Sequence, residues 1–485
     1  MSIATQQIHS SQPVNTCFSN TNTYLIFGTG ITGISAIQFC QKHNLKFFIA
    51  DDNGEKLKSL KVDNASVPEE NKIYTYDLNA IKDKNINYLI LSPSVHAEND
   101  KHKIVRICEQ LDITIISDVD LFYCYLQTYN QQHNTDKKLI GVTGTNGKST
   151  TTALTAFLLT QFSKKAIACG NIGLNCLTLD VASYDYFVVE MSSYNLYLTK
   201  YAQFECSILL NITEDHLAYH GTMENYIKAK EKIIKISKNA VLCIDNVYTK
   251  QITSAHNNLL LASTRNVLNI GLSWQNDNFY FNAKKIYTGY FQNLLGIHNI
   301  ENILCSTLCV IQILQHTSLI PETLECVKHF TTLPHRIQFV RTIHHIDFIN
   351  DSKGTNADST QKALQAYTGS NIYLIAGGQR KTAGFYFLAK DLTNVKCVFL
   401  IGDATESFAE ELTSLGVKYI KCNILKNAVN TAYQYALKDI QKADAKKQKH
   451  IVLLSPLCAS WDQYSSFEER GQDFINSVNA IQAED

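Results

Sequence analysis

Residues 138–159 read KLIGVTGTNGKSTTTALTAFLL. The apolar start predicts a buried strand, the glycines a turn, and the threonine-, alanine- and leucine-rich tail a helix. Backbone N–H groups at such a turn and helix start attract phosphate oxygens. Lys148 stands where it would neutralise β- and γ-phosphates, and Ser149 where it would offer a hard oxygen to Mg2+. Gly144, Thr145, Asn146, Gly147, Lys148, Ser149 and Thr150 are thus candidate nucleotide contacts. Val142 occupies the position of the first glycine in the strict phosphate-loop spacing, so a plain glycine-rich turn is the competing reading.

The same strand–turn–helix grammar recurs on both sides. Upstream, YLIF (24–27), a glycine turn, SAIQFCQKH (35–43), FFIADD (47–52) and NYLILSPSV (87–95) alternate as strands and helices. The polar stretch QTYNQQHNTDKK (127–138) reads as a linker. Downstream come YFVVEM, CSILLNIT and a lysine-rich helix from about Glu224, and Pro334 breaks the chain. IDFIN, NIYLIAGG, CVFLIG, KYIKC and IVLLSP then repeat the alternation, ending on a helix after Phe467. The fold class expected is α/β, with three domains each built on a mostly parallel sheet: Rossmann-like, phosphate-loop, Rossmann-like. The bounds read as a polar tail 1–22, then 23–136, 137–333 and 334–485.

Composition fits this reading. The 485 residues are 45% hydrophobic, and 44 basic residues balance 44 acidic ones, so no basic footprint for nucleic acid is present. The N-terminal residues lack the pattern of a signal peptide, and no apolar run reaches the ~18 residues of a membrane span. A cytoplasmic monomer is expected. The 14 cysteines are scattered through apolar runs and read as buried free thiols of a reducing compartment. Cys305 and Cys309, one helical turn apart, read as packing rather than a metal site.

Two further residues draw notice. Glu190 ends a strand at the edge where α/β sheets bind ligands, a natural Mg2+ anchor, although a solvated Glu is the plain alternative. In ENYIKAKEKIIKIS (224–237), Tyr226, Ile227, Ile233 and Ile234 share a helical face with Lys230 at its centre. Lys228, Lys232 and Lys235 fall opposite and read as solvated. A lysine held against a core either snorkels to the edge or keeps a neutral amine, which can take up CO2 as a carbamate.

Several motifs, in chain order, resemble the Mur ligase family: GTNGKSTT (144–151), GNIG (170–173), EMSSY (190–194), NITEDHLAYH (211–220), HNIEN (298–302), LPHR (333–336) and NDSKGTN (350–356). The family's own loop spacing removes the Val142 objection. GGQRKTAG (377–384) and SPLCASWDQYSSFEERGQDF (455–474) are most similar to the member that adds D-glutamate. The resemblance implies ATP-dependent joining of D-glutamate to UDP-N-acetylmuramoyl-L-alanine in peptidoglycan synthesis, through an acyl phosphate and a tetrahedral intermediate. It implies ATP, two Mg2+ sites and a carbamylated lysine.

Residue by residue, the resemblance places Lys148, His216, Lys230 and Lys353 in catalysis. Ser149, Glu190, His216 and carbamylated Lys230 would serve the metals. ATP would also meet Asn299, Asn302, Arg336, Asp351 and Lys353. Thr355, Lys381, Ser460 and Phe467 would hold D-glutamate. The fingerprint Gly28-Thr29-Gly30-Ile31-Thr32-Gly33 with Asp51, which alone suggests a nicotinamide dinucleotide and an oxidoreductase, would bind UDP instead. Ile31, Thr32, Asp51, Ser92, Asn171, Ser192 and His216 are its substrate-side residues. Asp52-Asn53, Ser94 and Ala218-Tyr219 depart from the family pattern. A non-catalytic nucleotide switch is a further alternative, which gives Lys381, Ser460 and Phe467 no role, and within the enzyme class the runner-up is a relative adding another amino acid or a folate polyglutamate ligase.

Overall fold

The computed structural model describes residues 17–97, 101–252, 258–291, 294–331, 333–380, 384–441 and 448–482. The chain forms two compact units. The first comprises Met1–Tyr290 with Glu301–Phe330, and the second Phe291–Ile300 with Thr331–Asp485.

The first unit holds two large sheets. The N-terminal one has β1 (Thr23–Phe27), β2 (Lys46–Ala50), β3 (Tyr88–Leu91) and β4 (Thr114–Ile116) in the order β2-β1-β3-β4, all parallel. The central sheet comprises β5 (Lys138–Thr143), β6 (Ala166–Gly170), β7 (Tyr186–Glu190), β8 (Phe204–Leu209), β9 (Ser237–Cys243), β10 (Leu259–Ser263), β11 (Leu272–Gln275), β12 (Asn278–Phe281) and β13 (Lys284–Thr288). Its order is β13-β12-β11-β10-β9-β8-β5-β7-β6, parallel except for the meander β11-β12-β13. That antiparallel extension has no counterpart in the sequence reading.

The second unit has β14 (Gln338–Ile343), β15 (Ile346–Asn350), β16 (Asn371–Gly377), β17 (Val395–Ile401), β18 (Tyr419–Asn423) and β19 (His450–Leu454). They are ordered β14-β15-β19-β16-β17-β18, with β14 alone antiparallel to its neighbour. In the first two sheets the chain reverses its direction of winding beside the first strand, β1 or β5, which opens a crevice at the carboxyl ends of the strands, where ligands bind in such folds.

The first helix, α1 (Ile31–Lys42), starts inside the glycine turn rather than after it. A Cβ on Gly33 would lie 1.8 Å from the carbonyl oxygen of Gly28, so glycine alone permits this close strand–helix approach. The first part of the stretch read as a linker, residues 127–133, is helical: α2 runs Asp118–His133. Ser117 and Asp120 form a reciprocal capping box at its start, and Asn134 ends it in the left-handed conformation. Its polar tail stays helical because Tyr125 and Tyr129 pack on the core and His133 stacks on Tyr129 at 4.2 Å.

One expectation about the cysteines needs correction. Cys17 is bonded to Cys124 of α2, with Cα atoms 6.0 Å apart, so free thiols do not hold throughout; the remaining cysteines are free, and all but Cys326 are buried. Among the described residues one helix, Ile297–Leu314, is long and apolar enough to cross a membrane, but 67% of it is buried inside the fold, as befits a core helix.

Candidate active site

The phosphate loop connects β5 to α3 (Lys148–Gln161). Gly147 caps that helix with φ 86°, and a Cβ there would stand 2.4 Å from Asn302 Oδ1, so both strain and space demand glycine. The loop is clamped from β8's end. Thr145 N–H donates to Asn211 O (2.8 Å) and Asn146 N–H to Asn211 Oδ1 (2.9 Å), while Asn211 Nδ2 returns a bond to Asn146 O (3.1 Å). The Thr145 hydroxyl meets Tyr226 OH at 3.0 Å. Ser149 and Thr150 are buried in the first helical turn, and Lys148 Nζ donates to Thr145 O at 2.8 Å.

Lys230 lies on α4 (Met223–Lys235) and is 1% exposed. Its Nζ donates to Gly144 O at 2.8 Å and sits 4.9 Å above the Tyr226 ring. Burial, then the neighbouring Lys148 charge, push its pKa far below that of an ordinary lysine, against the weaker pull of Asp215 and Glu190. The snorkelling alternative is thereby set aside: this amine stays inside. Lys228 and Lys235 are exposed and paired with glutamates, as expected. Lys232 is not solvated: its Nζ donates to the carbonyls of Tyr197 and Thr199, because the end of the EMSSY helix packs over it.

Glu190 ends β7 at 3% exposure, and its Oε2 has no hydrogen-bond partner among the described residues. A buried carboxylate oxygen without donors is costly unless a cation meets it, so the residues present fit a bound Mg2+. His216 is held from two sides, by Tyr194 OH on Nδ1 (2.7 Å) and by Asp215 near Nε2 (3.5 Å). Sequence reasoning missed Asn211, Tyr226, Tyr194 and Asp215 as supports. All but Tyr226 lie inside the quoted motifs, and their roles depend on contacts between distant segments.

A cleft of about 600 Å3 joins this loop to the N-terminal sheet. All seven expected UDP-side residues line it, namely Ile31, Thr32, Asp51, Ser92, Asn171, Ser192 and His216, together with Lys148 and Lys230. Burial opposes ionisation of Asp51, but N–H donors from Asn53 and Thr29, the Thr29 hydroxyl and the Lys56 charge hold its pKa below the ordinary value. The Ser92 hydroxyl is buried and without a partner among the described residues. Ser192 is engaged as an N-cap, accepting from Asn195 N–H at 3.1 Å. The departing residues have local tasks: Asp52 accepts from Tyr76 OH and meets His102, Asn53 caps a short helix, and Tyr219 packs on Tyr194.

Asn299 and Asn302 both lie on α5 (Ile297–Leu314). Asn302 Oδ1 accepts from Thr151 Oγ1 (3.1 Å), and Asn299 Nδ2 donates to Leu295 O (2.7 Å).

In the second unit, NDSKGTN follows β15 and meets the loop after β19 and the start of α6 (Phe467–Asn479). Lys353 Nζ lies 4.9 Å over the Phe467 ring, and Ser352 Oγ donates to Phe467 O at 2.8 Å. Ser460 is buried on the loop after β19, and Thr355 N–H donates to Lys353 O. Arg336 lies in the segment leading into β14, close enough to act electrostatically on Asp351. Lys381 lies outside the described residues.

Arg470, 1% exposed and unforeseen, ties these loops together. Its guanidinium donates to Ser352 Oγ (3.0 Å), Ser352 O (2.9 Å), Cys458 O (3.1 Å) and Ala459 O (3.3 Å). Arg470→Leu withdraws the guanidinium's four hydrogen bonds from these loops and should cost about 3 kcal/mol in denaturant unfolding; a change within about 0.5 kcal/mol would contradict this.

Asp351 is buried, and burial raises its pKa to about 7 despite a Ser455 hydroxyl at 2.7 Å and the Arg336 charge. A carboxyl that holds its proton more tightly folded than unfolded stabilises the fold while protonated. That contribution is complete below about pH 4 and lost as pH rises through about 7. Wild type should therefore lose melting temperature across this window while Asp351→Asn keeps it. Parallel profiles would refute the assignment.

Two parallel sheets whose carboxyl edges line one cleft, the central one carrying a phosphate loop beside a buried lysine and carboxylate, together with a third mostly parallel sheet, define a nucleotide-binding α/β protein of the Mur ligase type. The Mur ligase middle domain matches residues 142–310 and the Mur ligase glutamate ligase domain residues 335–456. The chain belongs to the Mur ligase family. It is 34% identical to the UDP-N-acetylmuramoylalanine–D-glutamate ligase of Wolbachia pipientis wMel, over 93% of this chain and 94% of that one. It is 35% identical to the protein of the same name from Rickettsia bellii, over 94% and 97%. Among solved structures, UDP-N-acetylmuramate–alanine ligase from Thermotoga maritima matches with a TM-score of 0.57 at 16% identity, covering 95% of this chain and all of that one. The MurF ligase of the same organism, in complex with ADP, gives 0.55 at 20% identity over 83% and 91%. These structural likenesses speak for the fold.

Proposed function

We propose that this chain uses ATP to join D-glutamate to the alanine carboxyl of UDP-N-acetylmuramoyl-L-alanine, releasing ADP and phosphate. One observation carries the reading: the fingerprint residues, Lys148 and Lys230 line one cleft. A UDP held at the N-terminal fingerprint can present its distal carboxylate to the γ-phosphate at Lys148. The relatives' name supplies the acceptor and the amino acid.

A carboxylate is a poor electrophile. Its oxygen attacks the γ-phosphorus, the bond to ADP breaks, and an acyl phosphate forms. The D-glutamate amine then attacks the acyl carbon, and the tetrahedral intermediate expels phosphate. Lys148 offsets the charge of the meeting anions. Bound Mg2+ would supply further charge neutralisation, held by Ser149, Glu190, His216 and Lys230 as a carbamate. The carbamate nitrogen keeps one N–H, enough to retain the bond now made to Gly144 O.

Asn299, Asn302, Arg336, Asp351 and Lys353 serve ATP in this reading, and Thr355, Lys381, Ser460 and Phe467 serve D-glutamate. Residues 23–136 would take the UDP substrate, 137–333 ATP and 334–485 the amino acid. The site works as a cytoplasmic monomer without nucleic acid. Incubation with ATP, Mg2+, UDP-N-acetylmuramoyl-L-alanine and D-glutamate should yield, by mass spectrometry, the UDP-linked dipeptide. Its absence with folded protein would overturn the reading.

A further inference from the structure

Away from the cleft, the carboxyl end of β9 meets the start of α5. Cys243, Asp245 and Glu301 each direct one sulfur or carboxylate oxygen to a common point there, all within 4.8 Å of one another. Cys305, one turn after Glu301 on α5, lies next to the Cys243 thiol. We propose that Cys243, Asp245 and Glu301 form a site for a divalent metal of the zinc class.

The donor set argues for the metal type. One sulfur and two carboxylates suit zinc, which accepts thiolate and oxygen ligands and can leave its fourth position to solvent, whereas Mg2+ takes oxygen alone. Two carboxylates and a thiol so close repel one another when ionised, and a cation removes that cost.

Asp245 is also oriented as ligating carboxylates are. Ser263 Oγ (2.5 Å), Thr264 N–H (2.5 Å) and Thr264 Oγ1 (2.8 Å) all donate to it. Cys309 is paired instead with Cys206, so it belongs to the packing. The set shares no residue with the proposed Mg2+ site. The coordinated thiol gives its proton to solvent, so binding should strengthen as pH rises. A metal here would fasten the end of β9 to the turn of α5 that carries Asn302.

The test is a Co2+ titration of the full chain, with a phosphine reductant kept below the metal concentration. Cobalt bound by thiolates gives near-ultraviolet charge-transfer absorption that carboxylate and histidine sites do not. We expect that band to saturate at about one equivalent and to be displaced by Zn2+. Cys243→Ser should abolish it, and Cys309→Ser should leave it intact. No band in the wild type, or an unchanged band in C243S, overturns the proposal. Should C243S fail to fold, Glu301→Gln keeps the thiol and should weaken Co2+ about tenfold; unchanged affinity would equally overturn it.

Discussion

Lys148→Ala is expected to lower ATP turnover by about a hundred- to a thousandfold, the scale of losing one preorganised charge at a developing anion. The lysine starts α3 directly after a glycine fixed at φ 86°, so its stem leaves the loop at the point where backbone N–H groups converge. Two anionic groups, the γ-phosphate and a carboxylate, must approach each other there, and the ammonium reduces the repulsion most when the phosphoryl group is in transfer between them. The side chain is not part of the core, so the variant should melt near the wild type. Steady-state phosphate release separates the outcomes: undiminished turnover would remove Lys148 from the chemistry, whereas lost turnover with an intact melt supports it.

The second large effect is expected at Lys230. Lys230→Ala should abolish ligation by about a hundredfold or more, the scale of a lost electrostatic stabiliser, and added bicarbonate should not restore it. Wild type depleted of CO2 should lose activity that bicarbonate returns. The reason lies in the burial: the amine is 1% exposed and its charged form is disfavoured, so the neutral form needed to add CO2 is well populated. Carbamylation turns that amine into an anion beside Glu190, a pairing that makes sense with a divalent cation between them. Activity near wild type in K230A, or indifference of the wild type to CO2 depletion, would sink the carbamate. Because Lys230 also holds Gly144 O, a melting curve of the variant must accompany the assay.

Much of this was legible from sequence, for physical reasons specific to each segment. β5, the phosphate loop and α3 are written by local grammar, an apolar run, forced glycines and a helix-forming tail, and the structure follows it. Lys230 was flagged by helical periodicity, but whether it snorkels depended on Tyr226 and the Gly144 carbonyl, which no local pattern reveals. Lys232 failed for the converse reason: its helical face is polar, yet the end of a different helix supplies carbonyls to it. The polar segment 127–133 was misread because Tyr129, with Tyr125 one turn earlier, packs on a core formed by distant residues. Arg470 looked like an ordinary surface arginine in FEERGQDF, since its carbonyl partners come from loops after β15 and β19. The meander β11–β13 has short strands with mixed polarity, a weak periodic signal.

The central claim is acceptor-specific ligation. It is tested most directly by phosphate release from ATP with UDP-N-acetylmuramoyl-L-alanine present, comparing D-glutamate, L-glutamate, glycine, L-alanine and diaminopimelate. Release that requires both the UDP substrate and D-glutamate is the predicted result. Release driven by a different amino acid, or none that depends on an acceptor while the protein is folded, would contradict it.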